Sequence, residues 1–321
     1  MHLHISVLRL ARRHSTVARL LLVATGLASA AGVYAFWWEP SQLVVTRSEI
    51  VLPSQHAIGT PLRIAALSDI HVGSPYITLD KLRSVVERTN AERPDAVVLL
   101  GDFVINGVKG GTPTEPEAFA GILGGFRAPL GVFAVLGNHD WREGRGPRIA
   151  EALRAQRIHV LLDQAVRIER DHRPLWFVGF EDLWRRNPNP KAAVGLVRDD
   201  ALVFALTHNP DIFPEVPARV ALTIAGHTHG GQVDLPFLGR LKVPSWYGTR
   251  YAAGHIVEGG RHLFVTTGIG TSIIPVRFRV PPEIAIITVR SDTAGFTRRS
   301  GRGLVQVVHA EERRGGGRRR G

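Results

Sequence analysis

The chain of 321 residues contains no cysteine. That excludes disulfides and any thiolate metal site, so a metal here must be held by histidine, aspartate, asparagine or water. Such donors suit manganese, iron or zinc in an open site rather than a structural zinc cluster. Acid is also scarce: 28 Asp and Glu stand against 40 Lys and Arg, a formal net charge of +12. A charge of that size is a mark of nucleic-acid binders, but its placement argues against that class. Residues 1–38 hold Arg9, Arg12, Arg13 and Arg19 and no acid, and residues 298–321 hold eight Arg against two Glu. The basic character therefore belongs to the two ends, and the body is close to neutral. No specific nucleic-acid partner is expected. The body also lacks an internal repeat or a long linker, so residues 41–297 are expected to form one domain.

Residues 20–38, LLLVATGLASAAGVYAFWW, contain no charge. A bilayer-spanning helix needs about 20 apolar residues, and Trp37 and Trp38 stand where indoles favour the membrane interface. Four Arg precede the stretch and only Arg47 follows it closely. The positive-inside rule then makes residues 1–19 a basic cytoplasmic segment and residues 20–38 a transmembrane signal anchor, with the body on the extracytoplasmic side of the cell membrane. The alternative is export after signal-peptide cleavage at Ala28-Ser29-Ala30. The apolar run continues past that point to Trp38, which favours the uncleaved anchor. Arg12-Arg13 resembles a twin-arginine export signal, although the following HSTV departs from it. The Gly/Arg-rich residues 298–321 lack apolar periodicity and are expected to be disordered.

Strand-length apolar runs recur through the body: 63–68, 96–101, 132–137, 175–180, 202–207, 220–226, 262–268 and 283–289. Near-continuous apolar strands are buried on both faces. Helical spacing marks 78–92, with Thr78 or Asp80 as cap, and 146–156, with Pro147 in its first turn. Alternating strands and helices of this kind give a layered α/β fold.

A polar group follows each of five runs. Asp69 and His71 follow the first and Asp102 the second. Asn138, His139 and Asp140 follow the third, His208 the fifth, and His227 and His229 the sixth. Sites in open α/β sheets form at the carboxyl ends of strands. In extended chain, residues two apart point the same way, so Asp69/His71 and His227/His229 can each aim two donors at one place. Buried Asp and His without partners are costly, and a pair of metal ions would supply the partners.

The set D-x-H, GD, GNHD, a lone His and GHTH, in this order over residues 60–290, resembles the calcineurin-like metallophosphoesterase superfamily. The fuller HNPD (208–211) and GHTHGGQ (226–232), with the N-terminal membrane segment, resemble its bacterial YaeI/YkuE-like branch. The resemblance implies a four-layer α/β/β/α sandwich and two divalent metal ions: manganese, iron or zinc. By motif, Asp69, His71 and His229 would bind one ion, Asn138, His208 and His227 the other, and Asp102 would bridge them. A bridging carboxylate suits cations about 3.5–4 Å apart, which make hydroxide available near neutral pH. The ions would also neutralise the phosphoryl oxygens. His139 would serve the leaving group as general acid or bind phosphate.

One departure stands out. Protein phosphatases of the superfamily carry G-D-x-x-D-R-G, where this chain has GDFVING, with Ile105 and Asn106 in place of Asp and Arg. The Asp that orients the catalytic His is thus missing, and Asp140 is the candidate substitute. Trp141 is expected to line the pocket, and Tyr247 and Arg250 are candidates to contact an anionic head group. The expected activity is hydrolysis of a phosphodiester or pyrophosphate, as a phosphorylated small molecule or a lipid-linked substrate. The alternatives are a UDP-2,3-diacylglucosamine-type pyrophosphatase and a non-catalytic metal-stabilised binding protein.

Overall fold

The computed structural model describes residues 2–53 and 58–292. The tail 298–321 and the side chains of Arg9, Arg12 and Arg13 lie outside the described residues. The apolar N-terminus forms helix α1 (His2–Val33), a π-helical turn (Tyr34–Trp38) and a short helix α2 (Glu39–Ser41). Over Val17–Ser41 this helical stretch is long and apolar enough to cross a membrane, a slightly wider span than the charge-free 20–38. Leu20, Leu22 and Leu27 are exposed. A helix apolar all round is built to be surrounded, by protein or by lipid.

No linker separates this helix from the body. Strand β1 (Val44–Leu52) begins three residues after α2 and pairs in parallel with β12 (Glu283–Ser291), from Val44 opposite Glu283 to Leu52 opposite Ser291. The first sheet also contains β2 (Leu62–Leu67), β3 (Ala96–Leu99), β4 (Val132–Ala134) and β5 (His159–Val160), in the order β1-β12-β2-β3-β4-β5. The second sheet contains β6 (Gln164–Arg170), β7 (Arg173–Gly179), β8 (Leu202–Leu206), β9 (Leu222–Ala225), β10 (Gly254–Glu258) and β11 (Arg261–Val265), in the order β10-β11-β9-β8-β7-β6. Both sheets are mixed, with parallel centres.

Side-chain alternation along the strands builds the layers. In β2, Ala65 and Leu67 face helices α3 (Leu79–Ala91), α4 (Pro116–Leu123) and α5 (Gly146–Ala155), meeting Val85, Phe119 and Ile149. Ile64 and Ala66 point the other way, into the layer between the sheets. There Phe177 stacks on Phe133 with ring centres 4.4 Å apart and lies 5.5 Å from Phe204. The far face of the second sheet is covered more thinly, by helix α6 (Pro190–Val194) and a 3-10 turn (Pro210–Glu215). The result is the expected α/β/β/α sandwich with the expected apolar helix before it. Thr78 caps α3, accepting a hydrogen bond from the Lys81 N–H at 3.1 Å.

The Phe177 ring is fully buried and bridges both sheets. Phe177→Ala is expected to lower the unfolding free energy by about 3–5 kcal/mol, measured by chemical denaturation of the full chain in detergent. A loss well under 1 kcal/mol would mean the inter-sheet layer closes over the gap.

Candidate metal centre

Each apolar strand hands over to the site through a strained turn. Asp69, His71, Asp102, His227 and His229 all have positive φ, between 48° and 69°. Such backbone is unfavourable for any residue with a Cβ and collects at functional sites. Here it turns five donor side chains inward just past the ends of β2, β3 and β9. Two glycines make the closeness possible. A Cβ on Gly137 would fall 2.2 Å from the Asp102 Oδ1, and one on Gly226 would fall 1.8 Å from the Ser68 Oγ.

The donors converge. Asp69, His71 and His229 form one group, and Asp102, His208 and His227 a second, each with ligand atoms within 4.8 Å of one another. A third group, His71, Asp102 and His139, joins them. Asp102 is thus common to both sides: its Oδ2 lies 3.3 Å from His208 Nε2 and 3.8 Å from His71 Nε2. The Asn138 Oδ1 lies 3.2 Å from His208 Nε2, and the His227 Nδ1 3.1 Å from the same atom. The structure therefore brings together all seven residues expected to hold metal, and every one is buried.

Hydrogen bonds behind the imidazoles suit them to a cation. His71 Nδ1 lies 2.9 Å from the Val104 carbonyl and His208 Nδ1 2.7 Å from the Leu100 carbonyl. A carbonyl only accepts, so these contacts place a proton on each Nδ1 and turn each Nε2 toward the site. His71 Nε2 lies 3.3 Å from His229 Nε2, so these two ring nitrogens face the same place, where the His229 Nε2 is also 3.3 Å from the Asp69 Oδ1. The Asp69 Oδ1 is buried with no hydrogen-bond partner among the described residues. This donor set fits borderline divalent ions.

The electrostatics agree. Burial pushes His227 and His229 well below the usual histidine range, so both are neutral and able to donate a lone pair. Burial also pushes His208 down, but the charge and hydrogen bond of Asp102 overcome it and raise the group to about 10. The field that holds a proton there is one that would attract a cation. Asp102 is itself pushed up by burial, yet His208 and His139 hold it well below the carboxylate range.

His139 stands at the rim, 9% exposed, with its backbone N–H donating to the Asp102 Oδ1 at 2.8 Å. Burial lowers it to about 4. Its Nδ1 is buried without a partner. Asp140 does not orient this ring, contrary to the expectation from sequence. Its carboxylate accepts from the backbone N–H groups of Asp102, Phe103 and Gly137 at 2.8–2.9 Å and of Val104 at 3.3 Å. It shapes the Asp102 turn and makes no hydrogen bond or ion pair with an imidazole among the described residues. Burial, then the Asp102 charge, raises it to about 7.

Trp141 is half-buried beside the site, with the Arg186 guanidinium 4.4 Å from its ring centre. Tyr247 and Arg250 make no hydrogen bond, ion pair or ring contact with the cluster among the described residues. Arg250 pairs with Glu258 at 2.6 Å and covers the Tyr247 and Tyr251 rings, so its charge is already committed. The sequence did not reveal the roles of several further residues. Trp184 meets His227 edge-on at 4.2 Å. Asn106, which replaces the familiar arginine, donates to the His139 carbonyl at 2.8 Å and accepts from Arg145 at 2.6 Å. Asp211 of HNPD holds the 245–246 backbone through Ser245 Oγ and Trp246 N–H, both at 2.6 Å. Gln232, the last residue of GHTHGGQ, accepts from the Ser272 N–H at 2.7 Å and clasps a second loop beside the site. These roles are long-range contacts that no local spacing encodes.

Residues 62–231 match the calcineurin-like phosphoesterase family. The metallophosphoesterase YkuE of Bacillus subtilis (strain 168) is 28% identical, over 88% of this chain and 99% of its own. The phosphodiesterase YaeI of Escherichia coli (strain K12) is 30% identical, over 84% and 96%. The UDP-2,3-diacylglucosamine pyrophosphatase LpxG of Chlamydia trachomatis serovar D is 27% identical, over 79% and 92%. The histidines and aspartates at the strand ends thus stand in the setting their order suggested: the chain belongs to the calcineurin-like phosphoesterase family and is a phosphoric ester hydrolase.

Proposed function

We propose that the chain is a membrane-anchored phosphoesterase that uses two divalent metal ions to hydrolyse a phosphodiester or pyrophosphate bond, with a lipid-linked compound as substrate. The observation that carries this reading is the position of Asp102 between two buried donor groups, close to His71 on one side and His208 on the other. Asp69, His71 and His229 would hold one ion, Asn138, His208 and His227 the other, with Asp102 shared. When bound, the ions acidify water and neutralise phosphoryl charge. The residues of the chain do the rest. The carbonyls of Val104 and Leu100 fix the imidazole tautomers. Asp140 sets the Asp102 turn. Neutral His139, at the rim, offers a ring N–H to a phosphoryl oxygen or to the leaving oxygen.

The lipid-linked substrate is supported by the apolar N-terminal helix and by the activity in the name of the Chlamydia relative. Arg9, Arg12, Arg13 and Arg19 before the helix support an extracytoplasmic catalytic domain. That orientation counts against a cytoplasmic nucleotide-linked substrate, and hence against the UDP-2,3-diacylglucosamine reaction itself. The side of the membrane is tested by reporter fusions to the C-terminal end. Alkaline phosphatase activity is expected, and a signal only from a cytoplasmic reporter would reverse the orientation.

Hydrolysis of bis-p-nitrophenyl phosphate by the full chain, stripped of metal and reloaded with manganese, iron or zinc, tests the chemistry. Turnover is expected to depend on metal, and metal binding without turnover on this or any lipid phosphodiester would favour a binding protein. Asp102→Asn should lose at least about 100-fold in rate, together with bound metal; full activity would rule out a shared carboxylate. His139→Ala should lose about 100-fold or more while metal content stays at the wild-type value. Asp140→Asn puts an amide where backbone N–H groups need an acceptor. It should cost about 1–3 kcal/mol, read as a lower melting temperature, and an unchanged melt would mean the Asp102 turn holds itself.

A further inference from the structure

Two loops that leave the candidate metal centre end in apolar tips that no described residue covers. Phe237, Leu238 and Leu241 lie on the loop after His229, and Phe237 is fully exposed. Ile273 and Ile274 lie on the loop before β12 and are exposed as well. Phe237 and Ile273 both have positive φ, 66° and 63°. Glycine or asparagine suits such backbone, and a bulky or β-branched residue is disfavoured there. Both tips therefore carry large apolar side chains against local backbone preference and against solvation.

The two loops form one unit, and that unit is fastened to the end of the apolar helix. Gln232 bonds the Ser272 N–H and the Ile274 carbonyl. The Phe278 N–H donates to the Gln232 carbonyl, and the Asp234 N–H to the Phe278 carbonyl, each at 2.9 Å. From the helix side, the Ala35 carbonyl accepts the Arg277 N–H at 2.9 Å and the Tyr34 ring meets Phe278 edge-on at 5.8 Å. The Glu39 carboxylate accepts the N–H groups of Arg279 and Val280. Tyr76 donates to the Phe36 carbonyl.

Depth follows from the helix. A hydrocarbon core about 30 Å thick takes up about 20 helical residues. Counted from Arg19, the last charge before the apolar stretch, that core ends near Trp38. The Tyr34–Ala35 contact is a turn before this limit, so loops bonded there stand at the membrane boundary. Exposed Lys109, Lys242 and Arg279 lie on or beside the same loops, with the Lys109 N–H donating to the Ile273 carbonyl at 3.1 Å. Apolar tips with flanking cations suit an anionic leaflet.

We propose that Phe237, Leu238, Leu241, Ile273 and Ile274 seat in the lipid leaflet from which the N-terminal helix emerges, so that the domain rests on the bilayer by a second, monotopic contact. This rests on the membrane anchoring proposed above. The occupant is the bilayer rather than a second copy, because the helix fastening fixes the tips at the depth of the lipid boundary. Both loops start at the site: the first at His229, the second at Gly270, whose N–H donates to the Asp69 carbonyl at 2.6 Å. The metal-ligand turns are thereby held against the membrane surface.

The absence of native cysteine allows a direct test. Leu27→Cys, Phe237→Cys, Ile273→Cys and Leu196→Cys, each in the full chain, are labelled with an environment-sensitive fluorophore. They are reconstituted into phosphatidylcholine–phosphatidylglycerol vesicles containing lipid-borne nitroxide quencher. Leu196 is exposed near α6, away from these loops. Unchanged hydrolysis of bis-p-nitrophenyl phosphate shows that each variant is folded. The expected result is strong quenching at 27, 237 and 273 and none at 196, with the loop probes about 5–10 Å into the head-group boundary. Quenching at 27 with none at 237 and 273 overturns the seat and leaves the anchor. No quenching at 27 removes the anchor and the seat together. Loop probes that are shielded from a water-soluble thiol reagent yet not quenched by lipid point to a protein partner and also overturn it.

Discussion

The Asp102 carboxylate is buried and paired with no lysine or arginine among the described residues; its neighbours are His71, His139 and His208. A buried charge without such compensation is expensive. Much of the local architecture is arranged around it. Asp140 gives up its whole carboxylate to backbone donors to form the Asp102 turn, and Gly137 is bare so that the carboxylate can approach. The His139 backbone binds one Asp102 oxygen while the imidazoles gather at the other. The two sheets meet so that turns from both edge this one group. Its charge defines where a cation would sit, which donors must stay neutral and which strained turns are worth keeping.

The strands and the site differ in how far sequence reveals them. The eight apolar runs became β2, β3, β4, β7, β8, β9, β11 and β12, and both expected helices formed, because burial on two faces leaves a continuous apolar record. Strand β1, VVTRSEIVL, left no such record. It is an edge strand with alternating exposure, and its polar positions hid it. Strands β6 and β10 are likewise edge strands, and β5 is only two residues long. The seven candidate donors were legible because polar groups directly after buried apolar strands stand out in the sequence. Asp140 was legible as a site residue but not in its role, since Asn-His-Asp spacing cannot say whether a carboxylate meets a ring or a row of backbone N–H groups. Trp184 and Asn106 depend on contacts from distant strands, for which no pattern exists in one sequence.

Arg277 shows how the apolar N-terminal helix and the site share one framework. Its guanidinium is buried, has no ion pair among the described residues and donates to the carbonyls of Thr267, Gly268, Gly270 and Val280. Burial lowers it to about 10, which leaves it charged at neutral pH. A planar fork of five donors is the side chain that can satisfy several carbonyls at once, which lysine could not. The loop so gathered packs on Asp69, while the backbone of Arg277 binds the end of the apolar helix.

Only Gln42 and Leu43 separate α2 from the edge strand β1, which then runs nine residues along β12. A domain tied to its helix so tightly has almost no swivel. With the helix in a bilayer and a lipid-linked substrate as proposed, such an enzyme would meet that substrate in the ring of lipid around its own footprint. Turnover would then follow the mole fraction of substrate in the membrane and its lateral diffusion rather than its bulk concentration, and diluting the substrate with inert lipid would inhibit the enzyme even at constant total amount.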